Sequence, residues 1–187
     1  SRLLLLGFDA MDAELVRRWA AAGYLPTFRR LFESSAWTQS VDPPEITSGW
    51  VFPSIHTGLG PLRHNGQEYL QLRKGSYRLH RGSAADIKGD PFWKWFAKAG
   101  RRIALVDVPF TIPNPEYGGK QFWGWGVHDS WPWKKTSVPS GLLRALSAQF
   151  GPHPIPYCHS YTTETDSLLR FRSGLLTGVE RRTAILK

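Results

Sequence analysis

Two neighbouring hydroxyls, Thr47 and Ser48, stand where the sequence predicts the start of a helix. They lie in the segment DPPEITSGWVFPSIHTGLGPLRHNG, residues 42–66, whose opening prolines cannot continue a helix. Serine and threonine are favoured N-caps, and residues 49–57 suffice for about two to three turns before Gly58 stops the helix. The unpaired N–H groups and positive dipole of such a terminus favour an anion such as phosphate. The same pattern also suits an ordinary N-cap in a surface loop.

A carboxylate earlier in the chain could act together with these hydroxyls. Asp9 ends the apolar run LLLLGF, residues 3–8, which predicts a strand buried on both faces of a parallel sheet. Asp9 would then lie at the carboxyl end of that strand, where open α/β sheets bind their ligands. A divalent metal ion held by Asp9 could also contact deprotonated Ser48 or Thr47. It would lower the pKa of the hydroxyl and make it a nucleophile without a histidine base.

The rest of the chain alternates between helix and strand patterns, which predicts an α/β fold with a mostly parallel sheet flanked by helices. We expect a single α/β domain over residues 1–187, with loop-rich insertions at 62–90 and 110–135 and a hairpin around Gly75. Helices are predicted over residues 12–23, from Leu25, and over 49–57, 90–100, 139–150 and from Asp166 onward; the further strands are predicted over 36–41, 102–108 and 121–125.

Composition and charge narrow the class of protein. Hydrophobic residues make up 41% and charged residues 21% of the chain, which is typical of a globular protein. No apolar run has the length of a membrane span. The formal charge of +9 favours acidic partners, but the basic residues are scattered in pairs, so a general positive surface explains the charge equally well. The single cysteine, Cys158, excludes an internal disulfide and favours a reducing, cytoplasmic location.

Three segments resemble the type I phosphodiesterase/nucleotide pyrophosphatase family of the alkaline phosphatase superfamily. They are GFDAMDAELVRRWAAAGYLPTFRRL, PPEITSGWVFPSIHTGLGPLRHNG and RRIALVDVPFTIPNPEYGGKQFWGWGVHD, which follow the family's order over most of residues 3–129. The resemblance implies an alkaline-phosphatase-like fold and hydrolysis of phosphate esters, with phosphodiesters or pyrophosphates as the expected class. It also implies two divalent metal ions, expected to be zinc, and a serine or threonine nucleophile.

The resemblance also implies roles for single residues. Asp9 resembles the first-strand metal ligand of the family. Counting back without gaps from Thr57 puts the nucleophile, which is also a metal ligand, on Ser48. A shift of one residue would put it on Thr47 instead.

Other positions depart from the family pattern. The family's remaining ligands are Asp and His residues late in the chain, including an Asp-His pair that is absent here. His128-Asp129 has the reverse order and resembles part of a lid or core loop, so we do not count it as a ligand. His64 is interpreted as a structural or pocket-rim residue. We therefore expect chain beyond Lys187 to complete the site, and the 187-residue chain alone to be inactive.

A non-enzymatic function is the alternative interpretation, in which a degenerate family member binds phosphate or nucleic acid. The interleaved aromatic and basic residues Trp93-Lys94-Trp95 and Trp131-Pro132-Trp133-Lys134 could stack on bases and contact phosphates. The first of these groups falls in a predicted helix, whose tryptophans should belong to the core. A small phosphate ester is therefore the expected partner, ahead of nucleic acid.

Overall fold

The computed structural model describes residues 2–9, 11–40, 50–66, 68–126, 135–155 and 163–187. The chain divides into two compact units, Ser1–Pro43 and Pro44–Lys187.

The amino-terminal unit contains two helices, both predicted from the sequence. Helix α1 spans Ala13–Ala21, and its N-cap Asp12 accepts a hydrogen bond of 2.8 Å from the N–H of Leu15. Helix α2 spans Pro26–Ser34 and begins on a proline, whose missing N–H would be unpaired at that position anyway. The ring of Phe28 on α2 lies 6.0 Å from that of Phe8, so aromatic packing joins this helix to the preceding segment.

The strands predicted in this unit do not form. Residues 2–8 and 36–40 adopt no regular structure, and the leucines of the first segment are exposed, Leu4 by 79%. A strand needs a hydrogen-bonded neighbour, and neither segment pairs with another strand within the described residues. The prediction that Asp9 ends a buried strand is therefore wrong.

The carboxyl-terminal unit contains two small sheets. Strands β1 (Leu70–Leu72) and β2 (Leu79–Arg81) form the predicted hairpin, with Leu70 opposite Arg81. The second sheet has the order β3-β4-β5, formed by Ala104–Val106, Lys120–Trp123 and Thr136–Val138. Strand β4 pairs parallel to β3 and antiparallel to β5. The fold is thus mixed α/β as predicted, but its sheets are small and are not a mostly parallel core.

The remaining helices agree with the sequence patterns, except for the short helix at Pro61–His64, which lies where the sequence predicted a stop and a loop. They are α3 (Val51–Thr57), α4 (Pro61–His64), α5 (Trp93–Lys98), α6 (Leu142–Phe150) and α7 (Thr165–Leu186), with short 3-10 turns at Ala84–Asp86 and Pro115–Tyr117. Helix α7 continues through Gly174 without a break. The sequence also predicts Asp90 as the N-cap of α5, but the helix begins later, with Phe92 at its N-cap position, and the Asp90 carboxylate accepts from the Lys94 ammonium at 2.7 Å. Among the described residues, no helix combines the length and apolarity needed to cross a membrane.

The main apolar core of this unit lies between the three-stranded sheet and its last two helices. Its centre is Phe122, Trp125 and Leu143, against which Val106, Leu142, Leu146 and Ile185 pack. A fully buried side chain such as leucine or phenylalanine stabilises the fold by about 1.5–3 kcal/mol. This core fixes β3 and β4, and with them the loops that follow both strands.

Candidate functional site

Of the three residues predicted to carry chemistry, the structure describes only Asp9. Thr47 and Ser48 lie outside the described residues, and α3 begins just after them with Trp50 at its N-cap position. Asp9 is an exposed turn residue of the amino-terminal unit. The pairing of Asp9 with Ser48 therefore stays a prediction, whereas α3 itself and the residues that pack on Trp50 are described.

Trp50 is the first buried anchor of this region, with 0% of its surface exposed. Its indole stacks on the ring of Phe110, with centroids 4.2 Å apart and planes inclined by 29°. Its edge lies against the backbone of Gly66 and Gly82, where an added Cβ would collide with the indole. We call these four residues the Trp50 socket. The socket joins segments that lie far apart in the sequence to the start of α3.

His64 ties the same helix to the chain that follows it. Its Nδ1 accepts a hydrogen bond of 3.1 Å from the N–H of Gly66, and its Nε2 lies 2.9 Å from the Ser54 Oγ. Its carbonyl accepts a further bond of 2.9 Å from the N–H of Lys88. Both ring nitrogens of this buried side chain are therefore occupied.

The hydrogen bonds of His64 exclude a serine–histidine dyad with Ser54. Burial lowers the pKa of His64, so the ring is neutral near pH 7. Since Nδ1 accepts the bond from Gly66, the single ring proton must sit on Nε2. His64 consequently donates to Ser54 and cannot take up its proton, which gives His64 a structural role.

His56, on the same helix, is buried without comparable partners. It is 5% exposed, and its ring lies 5.3 Å from that of Trp93. Burial, aided by the nearby His64, lowers the pKa of His56 to about 4. The carbonyl of Pro109 opposes this shift, yet neither ring nitrogen has a hydrogen bond of good geometry within the described residues. His56 is therefore neutral at physiological pH.

Asp107 forms a second buried polar cluster, which the sequence patterns did not reveal. It follows β3 with φ of +47° and a side chain only 1% exposed. Its Oδ1 accepts from the N–H groups of Gly124 at 2.9 Å and Trp125 at 3.1 Å. Its Oδ2 accepts from the N–H of Gly126 and from the Arg182 Nη2, both at 3.0 Å. One carboxylate thus holds the loop after β4 and the end of α7.

The tryptophans proposed as base-stacking residues divide between core and surface. Trp93 is buried against His56, as expected of a core residue. Trp95 is 58% exposed, so the prediction that it belongs to the core is wrong, and the ammonium of Lys98 lies 4.8 Å from its ring centroid. Trp131 and Trp133 lie outside the described residues.

The described residues do not complete a metal centre. Within them, no group of three or more His, Cys, Asp and Glu side chains is arranged to hold a metal ion. Asp9 and Ser48 together would supply two protein ligands, whereas a catalytic zinc usually takes about three. The donors among the described residues therefore do not by themselves form a catalytic zinc site.

Comparison with known proteins gives one match. The family model described as type I phosphodiesterase/nucleotide pyrophosphatase matches residues 3–171. No curated protein and no solved structure gives a significant match. The matched region contains Asp9, Thr47 and Ser48. It also contains both buried polar clusters, except for Arg182. The resemblance seen in the motifs is therefore confirmed over a longer stretch.

Proposed function

The chain belongs to the type I phosphodiesterase/nucleotide pyrophosphatase family, and we propose that it supplies the nucleophile of a metal-dependent phosphoester hydrolase. The family match over residues 3–171 is the observation that carries this proposal. Phosphodiesters or pyrophosphates are the proposed substrates, as small molecules rather than as nucleic acid. The net charge of +9 suits such anionic substrates.

Ser48 is the proposed nucleophile, with Thr47 as its alternative. In the first step a bond forms between the Ser48 Oγ and phosphorus while the bond to the leaving oxygen breaks. Ser48 loses the proton of its hydroxyl in this step, and the leaving oxygen gains one proton. Water then attacks the phosphorylated serine, which releases the phosphate product and restores the hydroxyl.

Two divalent ions, proposed to be zinc, would bind near Ser48 and Asp9. When bound, they would supply positive charge next to the phosphate. Since two donors fall short of a catalytic zinc site, we propose that the remaining ligands come from protein beyond Lys187. No step of the reaction above depends on where those ligands lie.

Two alanine variants test the choice of nucleophile in the complete protein. Ser48→Ala should abolish hydrolysis of a chromogenic phosphodiester, while Thr47→Ala should retain it. Folding should survive in both, because Trp50 is the N-cap of α3, so neither variant removes a cap from this helix. The reverse pattern would move the nucleophile to Thr47, and activity retained in both variants would refute the proposed mechanism.

The isolated 187-residue chain tests the incomplete metal centre. With zinc added, it should hydrolyse neither a chromogenic phosphodiester nor a phosphomonoester, because too few ligands hold the metal. Strong zinc-dependent turnover that disappears in Ser48→Ala would mean that this chain carries a complete site.

A further inference from the structure

We infer that Trp50 is a positioning residue for the proposed nucleophile. It is held in place by the other three residues of the Trp50 socket, Gly66, Gly82 and Phe110. Ser48 precedes Trp50 by two residues, so movement of Trp50 is passed to Ser48 through a very short piece of chain. The inference rests on the proposed function for its effect on turnover. The socket itself consists entirely of described residues.

The socket leaves no room beside the indole. Atoms Cε3 and Cζ3 face Gly66, and atoms Cζ2 and Cη2 face Gly82. All four atoms belong to the six-membered ring of Trp50. Neither glycine has a positive φ, so the indole, and not the backbone conformation, excludes a side chain at both positions. Phe110 closes one face of the ring at 4.2 Å and has a φ of +55° itself.

Hydrogen bonds fix the backbone of both glycines. The N–H of Gly66 donates to the His64 Nδ1 at 3.1 Å, and that of Gly82 donates to the carbonyl of Tyr69 at 2.8 Å. If a methyl group is added at either glycine, retreat of the backbone would break one of these bonds. Movement of the indole relieves the collision without breaking either bond, and it shifts the start of α3.

A displaced nucleophile reduces the rate more than it reduces binding. A misplacement of roughly 1 Å can lower a rate by about 100-fold. A nucleophile out of line affects the chemical step most directly, so kcat should fall by a larger factor than KM rises. The expected signature of a disturbed socket is a kcat lowered by about tenfold or more, with a smaller change in KM.

The glycine positions offer a matched set of variants in the complete protein. Gly66→Ala and Gly82→Ala should both lower kcat for a chromogenic phosphodiester. Gly60→Ala is the control, because no atom lies within 4 Å of its added Cβ and its φ is −73°. Adding Trp50→Phe to Gly66→Ala replaces the indole by a smaller ring. This gives the new methyl group room and should restore part of the lost kcat.

A second measurement reads the position of residue 48 without any turnover. Cys158→Ser removes the thiol of this chain, any further cysteine of the complete protein is likewise replaced by serine, and Ser48→Cys then provides one thiol for labelling by Ellman's reagent. In that background, Gly66→Ala and Gly82→Ala should label several-fold faster than Gly60→Ala, because residue 48 is released from its anchor. Circular dichroism checks that each variant is folded, and a variant that unfolds is replaced by the other glycine variant or by Phe110→Leu, which removes the ring stacked on the indole.

The results separate this inference from the proposed function. Equal kcat and equal labelling in all three glycine variants would overturn the role of the socket, even if Ser48→Ala abolishes activity. Retained activity in Ser48→Ala would refute the nucleophile, while faster labelling would still support the socket as the anchor of residue 48. A merely structural socket would lower the melting temperature and leave kcat per folded molecule and labelling unchanged.

Discussion

Two buried polar clusters of the carboxyl-terminal unit satisfy their polar atoms in opposite ways. The aspartate cluster consists of Asp107, the backbone N–H groups of residues 124–126 and Arg182, and every partner donates to one carboxylate. The histidine cluster consists of Ser54, His56 and His64 and is uncharged near neutral pH. In it, His64 is fully hydrogen-bonded, whereas His56 has no ring partner among the described residues.

Asp107 and His56 are buried to a similar extent, but the protein stabilises one as a charged group and the other as a neutral group. Asp107 has four donors aimed at its oxygens, and these offset the loss of hydration of a charged group. His56 lacks such donors and is held in its neutral form instead. The aspartate cluster should therefore be sensitive to loss of its charge, and the histidine cluster to gain of one.

The largest effect is expected from Asp107→Asn. The amide keeps the shape of the side chain but turns one acceptor into a donor that faces other donors, and it leaves Arg182 without its ion pair. In addition to the lost ion pair, at least one buried N–H group of residues 124–126 loses its acceptor, and each such loss costs about 1–3 kcal/mol. Urea unfolding should show a lower midpoint at an unchanged slope.

Asp90→Asn is the matched control for this experiment, because Asp90 pairs with Lys94 at the surface. Its urea midpoint should equal that of the wild-type protein. A similar loss in both variants would mean that burial of Asp107 does not set the strength of its cluster.

Acid should destabilise the histidine cluster next. The pKa of His56 is lowered from 6.5 to about 4, so below pH 6.5 the unfolded chain binds more protons at this position than the folded chain. Stability should therefore fall as the pH drops from 6.5 towards 4, by roughly 3 kcal/mol in total from this residue. Urea midpoints measured across this range should fall less steeply in His56→Gln. Identical pH dependence in the two proteins would contradict a neutral, buried His56.

Ser54→Ala tests the hydrogen-bonded half of the histidine cluster. It removes the acceptor of the His64 Nε2–H and leaves a buried donor unpaired, which costs about 1–3 kcal/mol. Urea unfolding would measure this loss at pH 7. Ser76→Ala, on the exposed hairpin turn, is a suitable control. A loss as large as that of Asp107→Asn would mean that a neutral hydrogen bond here equals the charged cluster.

Local signals in the sequence were sufficient for the hairpin and for the described helices other than α4. Asp12 caps α1 through its own side chain, Gly58 ends α3 in the left-handed conformation, and Gly75 turns the hairpin with φ of +76°. Each of these contacts spans only a few residues. The information needed to predict them is therefore contained in the segment itself.

Strand pairing could not be predicted in the same way. The apolar runs at residues 3–8 and 102–108 gave the same prediction, but only the second forms a strand, because β4 lies beside it. Asp107 was missed for a related reason. Its amide partners lie 17 to 19 residues away and Arg182 lies 75 residues away, so no local pattern reveals the cluster. Of the predicted site, Asp9 is described in a turn, and Ser48 and Thr47 stay predictions.

The smallest effect is expected from Arg182→Lys. This variant tests whether the positive charge of Arg182 or the shape of its guanidinium stabilises the aspartate cluster. Lysine keeps a positive charge near the Asp107 Oδ2 but loses the flat guanidinium, which lies 5.5 Å from the ring centroid of Trp125. Since the Arg182 side chain is 42% exposed, this change should cost only about 0.5–1 kcal/mol in urea unfolding. Arg182→Met, which removes the charge, should cost more than Arg182→Lys but less than Asp107→Asn, because three backbone N–H groups still bind the carboxylate. If Arg182→Lys were as damaging as Asp107→Asn, the guanidinium rather than the backbone amides would hold the buried charge.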